Sequence, residues 1–332
     1  MSLSHNNRGV SMKIAVTGAT GTLGKAVIFR LRELGHSVIG LGMNPEKIAN
    51  LKNQNFEIKR CDITNLPKLT AVVKDCDIIV HCAAYAAPFG RKERFFQTNV
   101  SGTKNVFYAG TENACSRIIM ISSASIFDRM PHNSPHSDAL PERQYRPKHY
   151  YGASKYDAEL FCLSQPNNNW IGLRPRAVFG PGDQTLIPRL TRLIGKNSYK
   201  TIGDGSGLID VTCLSNFVDA VCLAIDAPED KLGKFYNISN GDPRTFNSIM
   251  KAYTDKLQGV YQQRKLPYIP ILLLSHLASF TASLIPGRPW EPNLTPYGVR
   301  QVTTSLTLDI SGAQEALNWH PKKSFEEGME EL

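Results

Sequence analysis

Tyr151 and Lys155, in the segment Tyr150-Tyr151-Gly152-Ala153-Ser154-Lys155, have the types and the spacing for proton transfer. Four residues apart on a helix, they share one face and can approach each other. A free phenol has a pKa of about 10, too high to exchange protons near neutrality. A fixed ammonium beside it favours the phenolate and draws that pKa toward working pH. The other tyrosines nearby are excluded by spacing. Four residues after Tyr145, Tyr150 and Tyr156 stand His149, Ser154 and Leu160. Taken alone, such a pair is common on solvated helix faces. Its meaning depends on the elements that position it.

Lys13-Ile14-Ala15-Val16 reads as a buried first strand, and it runs into Thr17-Gly18-Ala19-Thr20-Gly21-Thr22-Leu23-Gly24 and a helical stretch from Lys25 to Leu34. Glycines at 18, 21 and 24 suit a pyrophosphate cradle: a tight turn, a close backbone approach, and a helix packed near its strand. The helix amino terminus would offer unpaired N–H groups to the anion.

Further apolar runs follow in a βα rhythm: Ser37 to Leu41, Phe56 to Lys59, Asp77 to His81, Arg117 to Ile121, Trp170 to Leu173 and, after a detour, Lys234 to Ile238. The pattern predicts an α/β fold, a doubly wound parallel (Rossmann) sheet with a smaller α/β substrate-binding domain from the carboxyl-terminal part. Residues 12–174 plus 211–240 would form the dinucleotide-binding domain. Residues 175–210 plus 241–332 would cap the carboxyl ends of the strands, where ligands bind in such sheets. Residues 1–11 read as a tag or disordered lead, with no signal peptide.

Composition fits a soluble enzyme: 332 residues, 42% hydrophobic and 20% charged. Seven scattered cysteines without Cys-x-x-Cys argue for reduced thiols, a cytoplasmic setting and no metal cluster. The net charge of +9 is dispersed rather than blocked, which excludes nucleic acid and suits an anionic cofactor and an acidic substrate.

Several ordered motifs carry a resemblance. They are Thr17 to Gly24, Cys61-Asp62-Ile63-Thr64, His81-Cys82-Ala83-Ala84, Asn99-Val100-Ser101-Gly102-Thr103, Ile121-Ser122-Ser123-Ala124-Ser125, the tyrosine–lysine pair, and Leu173-Arg174-Pro175 with Gly180-Pro181-Gly182-Asp183. Over about 12–330 the chain resembles the extended short-chain dehydrogenase/reductases. Within them it is most similar to the 3β-hydroxysteroid dehydrogenase branch and its 2-alkyl-3-oxoalkanoate reductases. Ile126-Phe127-Asp128 departs from the Val-Tyr-Gly usual in the sugar-nucleotide enzymes.

The resemblance implies site residues. Ser123, Tyr151 and Lys155 would be catalytic, with Asn99 completing a proton path; Asn99 read alone could equally be a helix cap. Gly18, Thr20, Gly21, Thr22, Leu23, Gly24, Asp62, Ile63, Ala83, Ala84, Tyr151, Lys155 and Pro175 would contact the cofactor, NADP or NAD. The segment Gly40-Leu41-Gly42-Met43-Asn44 lacks the acid that would clamp an adenosine ribose diol, and Lys47 and Arg60 stand near, which tilts the choice toward NADP.

The expected reaction interconverts a secondary alcohol and a ketone on a hydrophobic substrate. The alternative is a nucleotide-sugar epimerase or dehydratase using the same triad with transient oxidation. A non-catalytic dinucleotide sensor fits poorly, because tyrosine and lysine are both present. Arg176 and Arg189 could grip a substrate carboxylate or phosphate, or stand in surface or interdomain ion pairs. The uncharged stretch 266–287 has an apolar centre shorter than the roughly 20 residues that span a bilayer. It fits a pocket wall, a helix dipping into a membrane surface, or a core helix, and His276 within it reads as a core histidine. The family resemblance also implies a homodimer.

Overall fold

The computed structural model describes residues 11–284 and 292–332. Residues 1–10 of the expected lead, and 285–287 of the apolar stretch, lie outside the described residues. Seven strands form one parallel sheet: β1 (Lys13–Thr17), β2 (Ser37–Gly42), β3 (Glu57–Arg60), β4 (Ile78–His81), β5 (Arg117–Ile121), β6 (Trp170–Pro175) and β7 (Phe235–Ile238). Their order across the sheet is β7-β6-β5-β4-β1-β2-β3. The winding reverses between β1 and β4, which pair in parallel from Ile14↔Ile78 to Thr17↔His81. A crevice therefore opens beyond the carboxyl ends of these two strands.

The central strands are mostly apolar because helices cover both faces of the sheet, while the edge strand β3, Glu57-Ile58-Lys59-Arg60, buries only Ile58. Ile14, Ala15, Val16, Ile79, Val80 and Ile119 are wholly buried. The helices used below are α1 (Thr22–Glu33), α2 (Pro45–Asn53), α3 (Gly102–Glu112), α4 (Tyr150–Leu163), α5 (Leu186–Arg192), α6 (Leu214–Ile225), α7 (Phe246–Lys256), α8 (Tyr268–Ser283) and α9 (Pro296–Thr303). One core joins α1, α6 and the sheet through Val27, Leu31, Phe217 and Val221; another sets Val106 and Phe107 of α3 against Ile118 and Trp170.

A separate apolar cluster holds Phe179, Leu190, Ile209, Val211, Phe246, Ile249, Phe325 and Met329. Short strand pairs frame it, among them Ser198–Ile202 alongside Gln262–Leu266. The sequence did not signal these strands. Two-residue strands have no period to detect, and Gln-Gln-Arg-Lys-Leu is too polar to look paired.

The stretch read as pocket wall, membrane helix or core helix forms α8. Only Ser275 and Ala282 of it are buried. Ile269, Leu273, Leu277 and Phe280, one helical face, are 58–68% exposed. His276 is exposed as well, so neither a core helix nor a core histidine describes this segment.

The sheet is tied to α4 by a buried ion pair. Glu159 receives three hydrogen bonds from Arg174 on β6, at 2.7–3.0 Å, and another from the Ser122 hydroxyl. Both side chains are at most 1% exposed. Arg174 also donates to the Asp138 carbonyl at 2.8 Å, so its fork is largely used. Removing one partner would leave a buried charge unpaired. We expect Arg174→Met to lower the unfolding free energy by about 3–5 kcal/mol in urea titrations, and Glu159→Leu combined with it to restore most of that loss.

Candidate active site

The glycine turn is shaped by contacts that admit no side chain. Gly18 has φ +70°, and a Cβ there would lie 2.7 Å from the Ala83 nitrogen at the end of β4. A Cβ on Gly24 would lie 2.3 Å from the Gly18 carbonyl oxygen. The turn closes with Gly21 N–H donating to the Gly18 carbonyl at 2.9 Å. Gly21 is the N-cap of α1, with no side-chain cap and no acid in the first turn. The N–H groups of a twelve-residue helix thus face the crevice without a competing anion, which fits a dinucleotide pyrophosphate. Thr22 donates to the Gly182 carbonyl at 3.0 Å, holding the later Gly-Pro-Gly-Asp loop over the turn.

Helix α4 starts at an N-cap His149 and buries Ser154, Lys155 and Glu159. Tyr151 and Lys155 border the same cavity, with Ser123 at the end of β5. This cavity of about 620 Å³ also takes in Gly18, Gly21, Thr22, Leu23, Gly24, Ala84 and Pro175. Thr20, Asp62, Ile63, Ala83 and Asn99 do not border it. Thr20 packs on Gly42, Ala83 backs Gly18, and Asp62 accepts from the Thr64 N–H and hydroxyl.

The expected pairing of ammonium and phenol takes a different form. Burial raises the Tyr151 pKa; a hydrogen bond with Ser123, and then the Arg189 guanidinium, oppose it. The Lys155 ammonium donates to the Ile121 carbonyl at 2.8 Å. Burial pulls its pKa down to about 8, while Glu159 one turn along acts the other way. Within this structure, the Lys155 charge is felt by His81 and Cys82.

Asn99 is not a helix cap, and it does not border the cavity. It sits in a π-helical turn, Gln97–Ser101. Its amide accepts from Tyr85 N–H at 2.7 Å and donates to the Tyr85 carbonyl at 3.2 Å and Ser154 Oγ at 2.9 Å. It therefore ties the loop after β4 to α4. A second buried chain lies beside it. Ala83 N–H donates to Thr17 Oγ1, which lies 2.8 Å from His81 Nδ1; His81 Nε2 lies 3.0 Å from Thr103 Oγ1, which donates to the Asn99 carbonyl. Every group is satisfied when His81 is neutral with its proton on Nε2. Burial and the Lys155 charge hold its pKa down at about 3.

The sequence reading missed the part of the wall contributed by 292–302. Tyr297 stacks on His149 with ring centroids 3.7 Å apart and lies close enough to Tyr151 for their charges to interact. Leu294, Val299 and Val302 join Leu186, Leu190, Ile202, Phe246 and Ile249 in an apolar lining. Tyr297 has no lysine at helical spacing, and only the fold brings it to the crevice. No residue of α8 borders the cavity.

The model of the NAD dependent epimerase/dehydratase family matches residues 14–239. An uncharacterised Escherichia coli protein, YbjS, is 34% identical, covering 96% of each chain. The 2-alkyl-3-oxoalkanoate reductase of Stenotrophomonas maltophilia is 29% identical over 97% of this chain and 98% of its own. The solved structure of UDP-glucuronic acid 4-epimerase from Bacillus cereus, in complex with NAD, superposes with a TM-score of 0.74 at 22% identity, covering 96% of this chain and 97% of the other. The chain belongs to the NAD dependent epimerase/dehydratase family and is an NAD(P)-dependent enzyme of the extended short-chain dehydrogenase/reductase type.

Proposed function

We propose that this enzyme interconverts a secondary alcohol and a ketone, in a 3-hydroxy or 3-oxo arrangement, on a substrate with a large hydrophobic body. One observation carries the reading: a single cavity joins the glycine cradle, Ser123, Tyr151 and Lys155 to a wall of Leu186, Leu190, Ile202, Phe246 and Ile249. The nicotinamide supplies or accepts the hydride. In the reducing direction Tyr151 gives its proton to the substrate oxygen as that oxygen becomes a hydroxyl. Ser123, already bonded to Tyr151, holds the same oxygen in line. Lys155, fixed through the Ile121 carbonyl, holds the cofactor ribose and supplies positive charge under the phenol. Asn99 is a positioning residue that keeps the loop after β4 against α4. Residues 12–174 plus 211–240 supply the cofactor half, and 175–210 plus 241–332 the substrate half.

The preferred cofactor in this reading is NADP. At the end of β2 stands Gly42, where a Cβ would meet Thr20 at 2.5 Å, so an acid has little room. Asn44 is occupied as the cap of α2. Lys47 reaches Gln184, a cavity residue, at 2.9 Å and can turn to a 2′-phosphate.

Helix α8 lies on a membrane surface in this reading. In sequence it stands in a basic stretch: from Lys256 to Trp290 there is no acid, while Lys256, Arg264, Lys265 and Arg288 are cationic. Among the described residues no helix is long and apolar enough to cross a membrane, so the contact would be peripheral. Segment 292–302, next in the chain, lines the apolar end of the cavity.

Three outcomes are expected. Tyr151→Phe should lower kcat about 10³-fold with cofactor affinity retained, and Lys155→Met should impair both. Near-normal turnover by Tyr151→Phe would remove that residue from the chemistry, and product formation with no net change in nicotinamide absorbance would favour the epimerase reading. NADP should bind more tightly than NAD in fluorescence titrations, and Lys47→Ala should erase the difference; equal affinities in the native enzyme would refute it. Protein should co-sediment with anionic phosphatidylglycerol vesicles, and Leu273→Glu/Leu277→Glu should abolish this; recovery in the supernatant at low salt would dismiss the membrane contact.

A further inference from the structure

Helix α4 carries Tyr151 in its first turn, and the side chain that starts this turn caps it poorly. Asn44, Asn65, Thr245, Thr295 and Ser324 cap their helices by accepting from a backbone N–H at 3.0–3.2 Å. At α4 the cap is His149, whose Nδ1 accepts from the Gly152 N–H at 3.4 Å. Accepting there puts the ring proton on Nε2, and that atom is buried with no hydrogen-bond partner among the described residues. Burial, and then the Arg300 charge, hold the pKa down at about 3, so the ring is neutral. A long bond and an unpaired N–H are costs that Asn or Ser would not carry at this position. What the imidazole has and they lack is a flat ring.

That ring is held between two elements. Its Nε2 edge lies on the backbone of α4: a Cβ added to Gly152 would stand 2.8 Å from Nε2 and equally close to the Ser125 carbonyl oxygen. Against it lies Tyr297 of α9, with ring centroids 3.7 Å apart and planes 33° apart. Aromatic pairs usually keep about 4.5–7 Å, so this contact is close. The Tyr151 ring stands 6.3 Å from His149, tilted by 35°. Three rings thus lead from α9 to the phenol. Tyr297 and Tyr151 border the cavity and His149 does not.

Helix α9 is firmly seated. Val299 is wholly buried, and Thr295 caps the first turn through the Gly298 N–H at 3.0 Å. Gln301 accepts from Arg176 and reaches Asp128, five residues past Ser123. Leu294, Val299 and Val302 belong to the apolar lining, so a substrate body that fills the cavity bears on this segment. The segment bears in turn on His149, and His149 on the turn that carries Tyr151.

We infer that His149 and Tyr297 are positioning residues for proton transfer: the imidazole is a wedge, seated by Tyr297, that sets where the Tyr151 phenol stands when substrate fills the cavity. This rests on the oxidoreductase reading for the role of Tyr151. Contact between the substrate body and α9 would go into alignment of the phenol, which raises kcat rather than lowering KM.

The test uses enzyme saturated with oxidised cofactor, tyrosine labelled with ¹³C at Cζ, and 2-butyl-3-hydroxyoctanoate as substrate. His149→Asn keeps a capping side chain and removes the ring, Tyr297→Leu removes its seat, and Tyr297→Phe keeps the seat without the hydroxyl. The Tyr151 Cζ resonance, identified by its loss in Tyr151→Phe, should be one narrow line in the native enzyme and in Tyr297→Phe. It should broaden or split in His149→Asn and Tyr297→Leu. In those two, nicotinamide absorbance should show kcat about 10–30-fold lower, with KM within about threefold of native. Cofactor affinity checks folding; should His149→Asn fail to fold, the two Tyr297 variants decide. A raised KM at native kcat, a line unchanged by loss of either ring, a line already broad in the native enzyme, or equal broadening in Tyr297→Phe overturns the wedge and leaves the oxidoreductase reading standing. The expected pattern of lines in an enzyme that oxidises nothing upholds the wedge and defeats that reading. Unchanged lines without turnover defeat both.

Discussion

The site depends on one constraint: α4 buries a polar face against the ends of β5 and β6, and every charge on that face must find a partner there. Tyr151, Lys155 and Glu159 recur at four-residue intervals, so they stand one above another along the helix. Each meets the sheet separately: Tyr151 at Ser123, Lys155 at the Ile121 carbonyl, and Glu159 at Arg174 and Ser122. Ser122 and Ser123 alternate, as neighbours on an extended chain do, so one residue serves the ion pair and the next the phenol. A shift of α4 by one residue would break all three connections at once. The Glu159–Arg174 pair fixes the helix, and the helix fixes the chemistry.

A second buried network braces the opposite wall. The Thr17–His81–Thr103–Asn99 chain runs from the end of β1 through β4 into α3 and its preceding π-turn. Through Ala83 and Tyr85 it holds the loop that backs Gly18. The extra residue of the π-turn turns Asn99 inward, where its amide can serve Tyr85 and Ser154 together. The glycine turn and α4 are thus joined by polar side chains that do not border the cavity.

All seven sheet strands and the glycine turn were legible in the sequence: the central strands are apolar runs, the edge strand β3 alternates around Ile58 in the βα rhythm, and the turn needs glycine at fixed positions. Tyr151, Lys155 and Ser123, singled out by spacing and by resemblance, border one cavity. How Lys155 acts was not legible: its carbonyl partner is a backbone group, which sequence does not display. Nor was Tyr297, 146 residues beyond Tyr151, which only the packing of α9 over the crevice brings close. Helix α8 looked like three different things because periodicity separates an amphipathic helix from others, and a helix apolar all round has none. The polar strand Gln262–Leu266 was hidden for the converse reason. Its pairing with Ser198–Ile202 is carried by main-chain hydrogen bonds in an exposed setting.

Burial acts on the two central groups in opposite senses, and this gives the site a built-in dependence on its ligands. It raises the phenol of Tyr151 and lowers the ammonium of Lys155, to about 8, since each charged form loses hydration. Without an anion in the crevice, the ammonium is held weakly and the phenol has little reason to ionise. An anion in the cavity that Lys155 shares with the amino end of α1 would favour the ammonium and raise its pKa. A firmly charged Lys155 then favours proton release from Tyr151 across a medium of low dielectric, where such interactions are strong. Arg189 reaches the same phenol from the substrate side. The fold supplies lysine and tyrosine on one cavity wall, each with its own partner: Ser123 for the phenol and the Ile121 carbonyl for the ammonium.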